Sequence, residues 1–255
     1  MIRFASLGSG SAGNALLVES GATCLMLDCG FGLRETAARM LRLGKQPADL
    51  AGIVVTHEHG DHVGGVFRLA RKHGLPIWMT YGTWVGCRQD AAGLDLRIID
   101  SHQPFTVGAF DILPFPVPHD AREPVQYVFS VGERRLGVLT DIGEPTAHVC
   151  AMLSGCDGLV LEFNHDAEQL ARSAYPLSLK RRIAGRLGHL ENEAAAALLG
   201  RIDCSRLQHL VAAHLSERNN QPELVRGILA ALSGGTPGKV SVASQEQGFD
   251  WCCLS

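Results

Sequence analysis

An excess of charge of either sign is missing from this sequence. Its 255 residues carry 23 Lys and Arg against 26 Asp and Glu, a net charge of −3. That excludes a strongly basic packager of nucleic acid and leaves room for a local site for an anionic substrate. Charged residues make up only 19% and aromatics only 6%. No aromatic–basic interleaving occurs, so extensive base stacking is not expected. No apolar run approaches the roughly 18 residues that a membrane span needs. The opening MIRFASLGSGSAGN has no apolar core behind a basic head, so no signal peptide and a cytoplasmic location are expected. None of the eight cysteines forms a C-x-x-C pair, and reduced thiols are the expectation. Internal repeats and low-complexity tracts are absent too.

Glycine and histidine are abundant instead, with 29 Gly and 11 His. Apolar residues at 46% and this length allow roughly 70–75% of the unfolded surface to be buried without covalent staples. Short apolar segments over 2–7, 15–19, 24–27, 53–55, 77–79, 96–99, 110–114, 126–131 and 136–139 predict strands between turn residues. Helical spacing covers 34–43 and 66–73. Beyond 158 strand and helix alternate: strands over 158–162, 210–213, 240–243 and 249–253, helices over 177–187, 191–202 and 222–232. The pattern predicts an α/β protein, two sheets covered by helices in one domain over 1–255.

Gly8, Gly10 and Gly13 match G-x-G-x-x-G after a strand, and Asp28 stands 20 residues beyond Gly8. This is the spacing of a dinucleotide-binding fingerprint. That motif must open a helix, and the next strand follows too soon for one. Two readings remain: a glycine turn in a meander, or a functional loop offering backbone amides with Ser9, Ser11 and Asn14 to a phosphate.

The densest chemistry is His57-Glu58-His59-Gly60-Asp61-His62, directly after a buried strand. Imidazole and carboxylate donors suit zinc and other first-row divalent metals. His57 and His59, two apart in extended chain, project to one side. Asp61 and His62 follow a glycine that can turn the chain toward a second, adjacent point. Of the other histidines, His73 ends a helix, which suits a positive charge, and His102, His148 and His209 have no motif around them.

H-x-H-x-D-H resembles the metallo-β-lactamase superfamily. The superfamily's later His, Asp and final His, each at a strand end, are matched by His119 in FPVPHDA, Asp141 in GVLTDIG and His214 in LVAAHLSERNN. Its early Asp is matched by Asp28 in LMLDCG. The resemblance implies an αββα sandwich of two mixed sheets. GSGSAGNA, LDCG, VPHDAREP, TDIG, EFNHD, GHLEN and HLSERNNQPEL together are similar to the WalJ/YycJ branch, described as metal-dependent phosphodiesterases or 5′-to-3′ DNA exonucleases. Gly188-His189 and His214-Leu215-Ser216 also resemble ribonuclease Z. Phe163 and Glu191 depart from the pattern, which has a small residue and a serine there.

The resemblance implies one metal on His57, His59 and His119, a second on Asp61, His62 and His214, and Asp141 bridging them. Asp28 would orient the histidine loop. Zinc or manganese is expected, and the donors admit iron. Such a pair of ions activates water and neutralises a phosphodiester's developing charge. Asp61 is the candidate proton acceptor and His189 the donor to the leaving oxygen. Asn164 and His165 are candidates for the substrate groove, or in the case of His165 for fixing its loop. Lys180, Arg181, Arg182 and Arg186 precede Gly188-His189. On a helix, 182 and 186 share a face, either a solvated face or a strip for nucleic-acid phosphates. The expected function is a dimetal phosphodiesterase or exonuclease on DNA or RNA ends. The alternative is a small-molecule hydrolase of the same fold, cleaving a cyclic phosphodiester, thioester or lactone.

Overall fold

The apolar segments become two sheets built to one plan. In this computed structural model, which describes residues 1–232 and 238–255, β1 (Ile2–Gly8), β2 (Ala15–Ser20) and β3 (Thr23–Leu27) form an antiparallel meander. β4 (Gly52–Val54), β5 (Pro76–Thr80) and β6 (Asp95–Ile99) then add in parallel beyond β3. The crossovers carry α1 (Leu33–Arg42), α2 (Gly60–Val63), α3 (Val66–His73) and α4 (Tyr81–Cys87). The second sheet starts with antiparallel β7 (Phe105–Val107), β8 (Phe110–Pro116), β9 (Val125–Val131) and β10 (Arg134–Leu139). Parallel β11 (Gly158–Glu162), β12 (His209–Ala213) and β13 (Lys239–Val242) follow. Their crossovers hold α5 (Ala147–Leu153), α6 (Ala167–Arg172), α7 (Leu177–Ile183) and α8 (Asn192–Leu199), with α9 (Pro222–Ala230) before β13. β14 (Phe249–Leu254) returns to pair antiparallel with β1. Both sheets therefore read three antiparallel pairings and then three parallel ones.

Alternation decides which face each residue covers. Phe4, Val18, Leu25 and Val54 of the first sheet mesh with Tyr127, Phe129, Val138 and Val160 of the second in a shared core. The Tyr127 hydroxyl, buried there, donates to the Val55 carbonyl at 2.7 Å and ties the sheets together. The outer faces pack on helices: Met26, Ile53 and Ile77 with Met40, Leu69 and Ala70 on one side, and Leu159, Leu161 and Leu210 with Val149, Ala195 and Val225 on the other. The result is the expected αββα order.

The segments with no expected helix but one in the structure are short. α4 contains Gly82 and Gly86, poor helix formers, yet Thr80 caps it by accepting from the Thr83 amide. A Cβ on Gly82 would lie 2.5 Å from Glu123. α6 is announced by its cap, Asp166, whose Oδ1 accepts from the Gln169 amide at 2.8 Å. The helix expected over 177–187 stops at Ile183, because Gly185 and Gly188 bring the chain back on itself: the Gly188 amide donates to the Gly185 carbonyl and the His189 amide to the Ile183 carbonyl, both at 2.8 Å.

Candidate metal centre

The C-terminal ends of the parallel strands of both sheets meet at one edge of the sandwich, the position where open α/β sheets place their sites. Three non-glycine residues there adopt left-handed backbone: Asp28 after β3 (φ 58°), Asp141 after β10 (φ 57°) and His214 after β12 (φ 55°). Such strain persists only where the surroundings enforce it and clusters at functional sites.

The histidine loop is clamped from behind. The Asn14 amide donates to the Asp61 carbonyl at 2.8 Å, and the Cys29 amide to the His62 carbonyl at 2.7 Å. Only glycine fits at 30, where a Cβ would stand 2.0 Å from the Asp61 carbonyl oxygen. Asp28 accepts from the Thr56 amide and the Thr56 hydroxyl, each at 2.8 Å, and pairs with His62 Nδ1 at 2.8 Å. A carboxylate on Nδ1 leaves Nε2 as the atom offered to the centre.

Two sets of donors result. In the first, His57 Nε2 lies 3.0 Å and His119 Nε2 3.2 Å from His59 Nδ1. His119 Nδ1 donates to the Gly188 carbonyl at 3.0 Å, which fixes that ring. In the second, His62 Nε2 is 3.4 Å from Asp61 Oδ2 and 3.0 Å from Asp141 Oδ2, and His214 Nε2 is 3.5 Å from Asp61 Oδ2 and from Asp141 Oδ1. The groups His57/His59/His119, His57/His62/Asp141 and Asp61/His62/His214 each keep their ligand atoms within 4.8 Å of one another. Asp141 Oδ2 and His214 Nε2 are buried without a well-formed hydrogen bond, which is costly unless something else satisfies them.

Electrostatics give the same answer. Burial alone would strip the proton from His62, yet Asp141 and Asp28 outweigh it and hold the ring well above its ordinary value. Burial opposes charge on His214 too, but Asp141, Asp61 and Glu162 carry it to about 10. His57 is driven down by burial and by His62, which outweigh the opposing pull of Asp141. Burial would raise Asp61 and Asp141, but the surrounding imidazoles keep both well below the carboxylate range. The buried carboxylates thus favour positive charge at this point, which divalent cations can supply. The donor set fits metal.

Around this centre lie residues that the sequence analysis did not single out. Glu162, fully buried at the end of β11, meets His189 Nδ1 at 2.8 Å and accepts from the Ile142 and Leu190 amides at 2.8 and 3.2 Å. Burial pushes it up, but His189 and His214 hold it at about 2. A carboxylate ending an apolar strand must be paired, and that was the available clue. Asp120 sits 3.8 Å from His59 Nε2 and 3.6 Å from His119 Nε2, and grips Arg182 at 2.5 Å.

The other candidates are placed as follows. Ser9 accepts from the His214 amide at 2.9 Å. Asn14 Oδ1 accepts from the Gly10 amide at 2.9 Å, and its Nδ2 lies 3.3 Å from Asp61 Oδ2. Of the three side chains expected to meet a phosphate there, two are therefore engaged inside the protein, and Ser11 stands exposed on the turn. Asn164 donates to the His214 carbonyl at 3.0 Å, and His165 is buried beside it. Arg182 and Arg186 do not share a helix face, because α7 ends between them. Arg186 pairs with Glu144 at 2.6 Å and is 83% exposed.

The family described as Beta-lactamase superfamily domain matches residues 23–214. Exodeoxyribonuclease YycJ of Bacillus anthracis is 36% identical over 228 residues, 88% of this chain and 86% of that protein. Exodeoxyribonuclease WalJ of Streptococcus pneumoniae serotype 2 is 34% identical over 230 residues, 87% and 84% of the two chains. The chain belongs to the beta-lactamase superfamily and, within it, to the family of YycJ and WalJ. Among solved structures, the metallo-beta-lactamase fold protein YhfI of Bacillus subtilis superposes with a TM-score of 0.73 at 17% identity, covering 98% of both chains, which speaks to the fold. No helix among the described residues is long and apolar enough to cross a membrane.

Proposed function

We propose that this protein is a two-metal 5′-to-3′ exodeoxyribonuclease that engages its substrate through backbone phosphates. It is a metal-dependent hydrolase by family, and the observation that carries the finer reading is the junction of two donor sets across Asp141. His57, His59 and His119 would hold one ion, Asp61, His62 and His214 the other, and Asp141 would reach both. When bound, such ions supply a nucleophile from water near neutral pH and neutralise charge on a phosphodiester. Mixed imidazole and carboxylate donors accept zinc, manganese or iron.

The chain's own groups supply the rest. Asp61, ionised throughout the working range, takes the nucleophile's proton. His189 faces Glu162 on Nδ1; burial opposes its charge, but Glu162 and Asp141 raise it above the ordinary value, which favours the protonated form that would donate to the leaving oxygen. Asp28, Thr56, Ser9 and Asn164 hold donor side chains and their backbone in place. Arg182, held by Asp120 beside the first donor set, would contact a phosphate.

The test is cleavage of a 5′-phosphorylated, end-labelled duplex by metal-stripped protein resupplied with Mn²⁺ or Zn²⁺. Mononucleotides should leave the 5′ end and be absent with Asp61→Ala. A fully metallated protein that releases none would shift the reading to a small-molecule phosphodiester, thioester or lactone hydrolase.

A further inference from the structure

Beside the metal centre lies a cavity of about 570 Å³ that the chemistry above does not use. It shares a wall with the centre through His189 and through Gly143, two residues past Asp141. An occupant would therefore abut the group being cleaved. Leu170 and Ala171 of α6, Leu177 of α7 and Ala184 just beyond it make the cavity apolar. Leu177 leaves 61% of its surface uncovered, bordering this hollow rather than filling a core. The volume suits one small molecule, not a run of polymer.

The polar groups are few and specific. His165 lines the cavity, is 1% exposed, and its Nδ1 has no hydrogen-bond partner. Glu191, the residue that departs from the family pattern, also lines it. Of the two lining cations, Lys180 donates to the Ala171 carbonyl at 2.6 Å, which leaves Arg181. Among the described residues it forms no ion pair, unlike Arg182 and Arg186, which hold Asp120 and Glu144.

We propose that this cavity seats the terminal nucleoside of the DNA strand, with base and deoxyribose between the aliphatic walls and Arg181 presented to a phosphate. The inference rests on the exodeoxyribonuclease reading. An acyl chain would satisfy the walls and leave the His165 nitrogen, the Glu191 carboxylate and Arg181 without partners. A nucleoside 5′-phosphate offers hydrogen-bonding groups to the first two and an anion to the third. No Phe, Tyr or Trp lines the cavity, so the base is held mainly by aliphatic contact and its identity matters little.

The test is calorimetric binding of deoxyadenosine 5′-monophosphate and of 2-deoxyribose 5-phosphate to the metal-loaded protein. The nucleotide should bind at least about tenfold more tightly, a difference of about 1.4 kcal/mol. Ala171→Trp, which fills the cavity, should erase that difference, whereas Glu168→Trp on an exposed position of the same helix should keep it. If Ala171→Trp fails to retain metal, Ala184→Leu on a separate wall decides. Equal affinity for the two probes, or undiminished nucleotide binding in a metal-replete filled variant, overturns the inference even if DNA is degraded. Selective binding without any release of nucleotides from DNA overturns the exonuclease reading, and with it the strand end as occupant.

Discussion

The two sheets share one strand plan and use it differently. β3 and β10 are counterparts, each flanked by an antiparallel and a parallel neighbour. Each is followed by an aspartate in left-handed backbone, Asp28 and Asp141, at nearly the same φ. Asp28 stands behind the donors and holds Thr56 and the Nδ1 side of His62, whereas Asp141 enters the centre and lies within reach of His62, His119 and His214. The first sheet delivers its donors in one six-residue loop after β4. The second delivers one donor after each of β8, β10 and β12. A strained turn at a strand end is thus a means of aiming a carboxylate, and the neighbours decide whether the aim is at metal or at a metal's histidine.

The sharpest break in that comparison is to neutralise each aspartate in turn. Asp141→Asn should lose bound metal and drop exonuclease activity to the level of metal-free protein. Asp28→Asn should keep a metal site, with affinity or activity reduced about 10- to 100-fold, as expected for a residue that orients a ligand. Metal content by mass spectrometry beside the rate on duplex ends separates the two. Equal metal loss in both would mean that the two turns do the same work.

The same asymmetry explains what could be read from the sequence. His57, His59, Asp61 and His62 stand together because one loop carries them, so residue type and spacing sufficed. His119, Asp141 and His214 are isolated in sequence and became legible only through the resemblance of PHD, TDIG and HLS to family motifs. Glu162 was overlooked although EFNHD was in view, because a lone acid in a strand has no spacing to recognise and its role depends on His189 arriving from a loop 27 residues away. The strands were legible from apolar alternation and turn residues. α4 and α6 were not, being a turn or two long and made by caps rather than by a long apolar stripe. The helix expected to carry Arg182 and Arg186 together failed because glycines at 185 and 188 end it early.

A smaller effect is expected within the second half, where His189 meets Glu162. His189→Ala should cost about 10²- to 10⁴-fold in kcat, the range for a lost general acid, with metal content intact. Glu162→Gln should cost less and move the pH profile in a fixed direction. Glu162 helps to raise the His189 pKa, and the acid form disappears as pH rises through that value. Removing the carboxylate lowers the value, so the alkaline limb of kcat should move to lower pH. A shift to higher pH, or none, would place the proton elsewhere.

The smallest effect separates two arginines that the sequence set side by side. Arg182 is held to Asp120, which itself approaches His59 and His119. Arg186 lies beyond the helix end, almost wholly in solvent, and holds Glu144. Surface pairs of that kind contribute little. Arg182→Gln should raise KM for duplex ends and reduce the slope of log binding against log salt by about one, the signature of one lost phosphate contact. Arg186→Gln should change neither. If both lower the slope alike, the phosphate path runs further from the centre, over the loop that joins α7 to Gly188. If neither does, Asp120 and Arg182 form a closed structural pair, and the strand is held by the metal centre and the adjoining cavity alone.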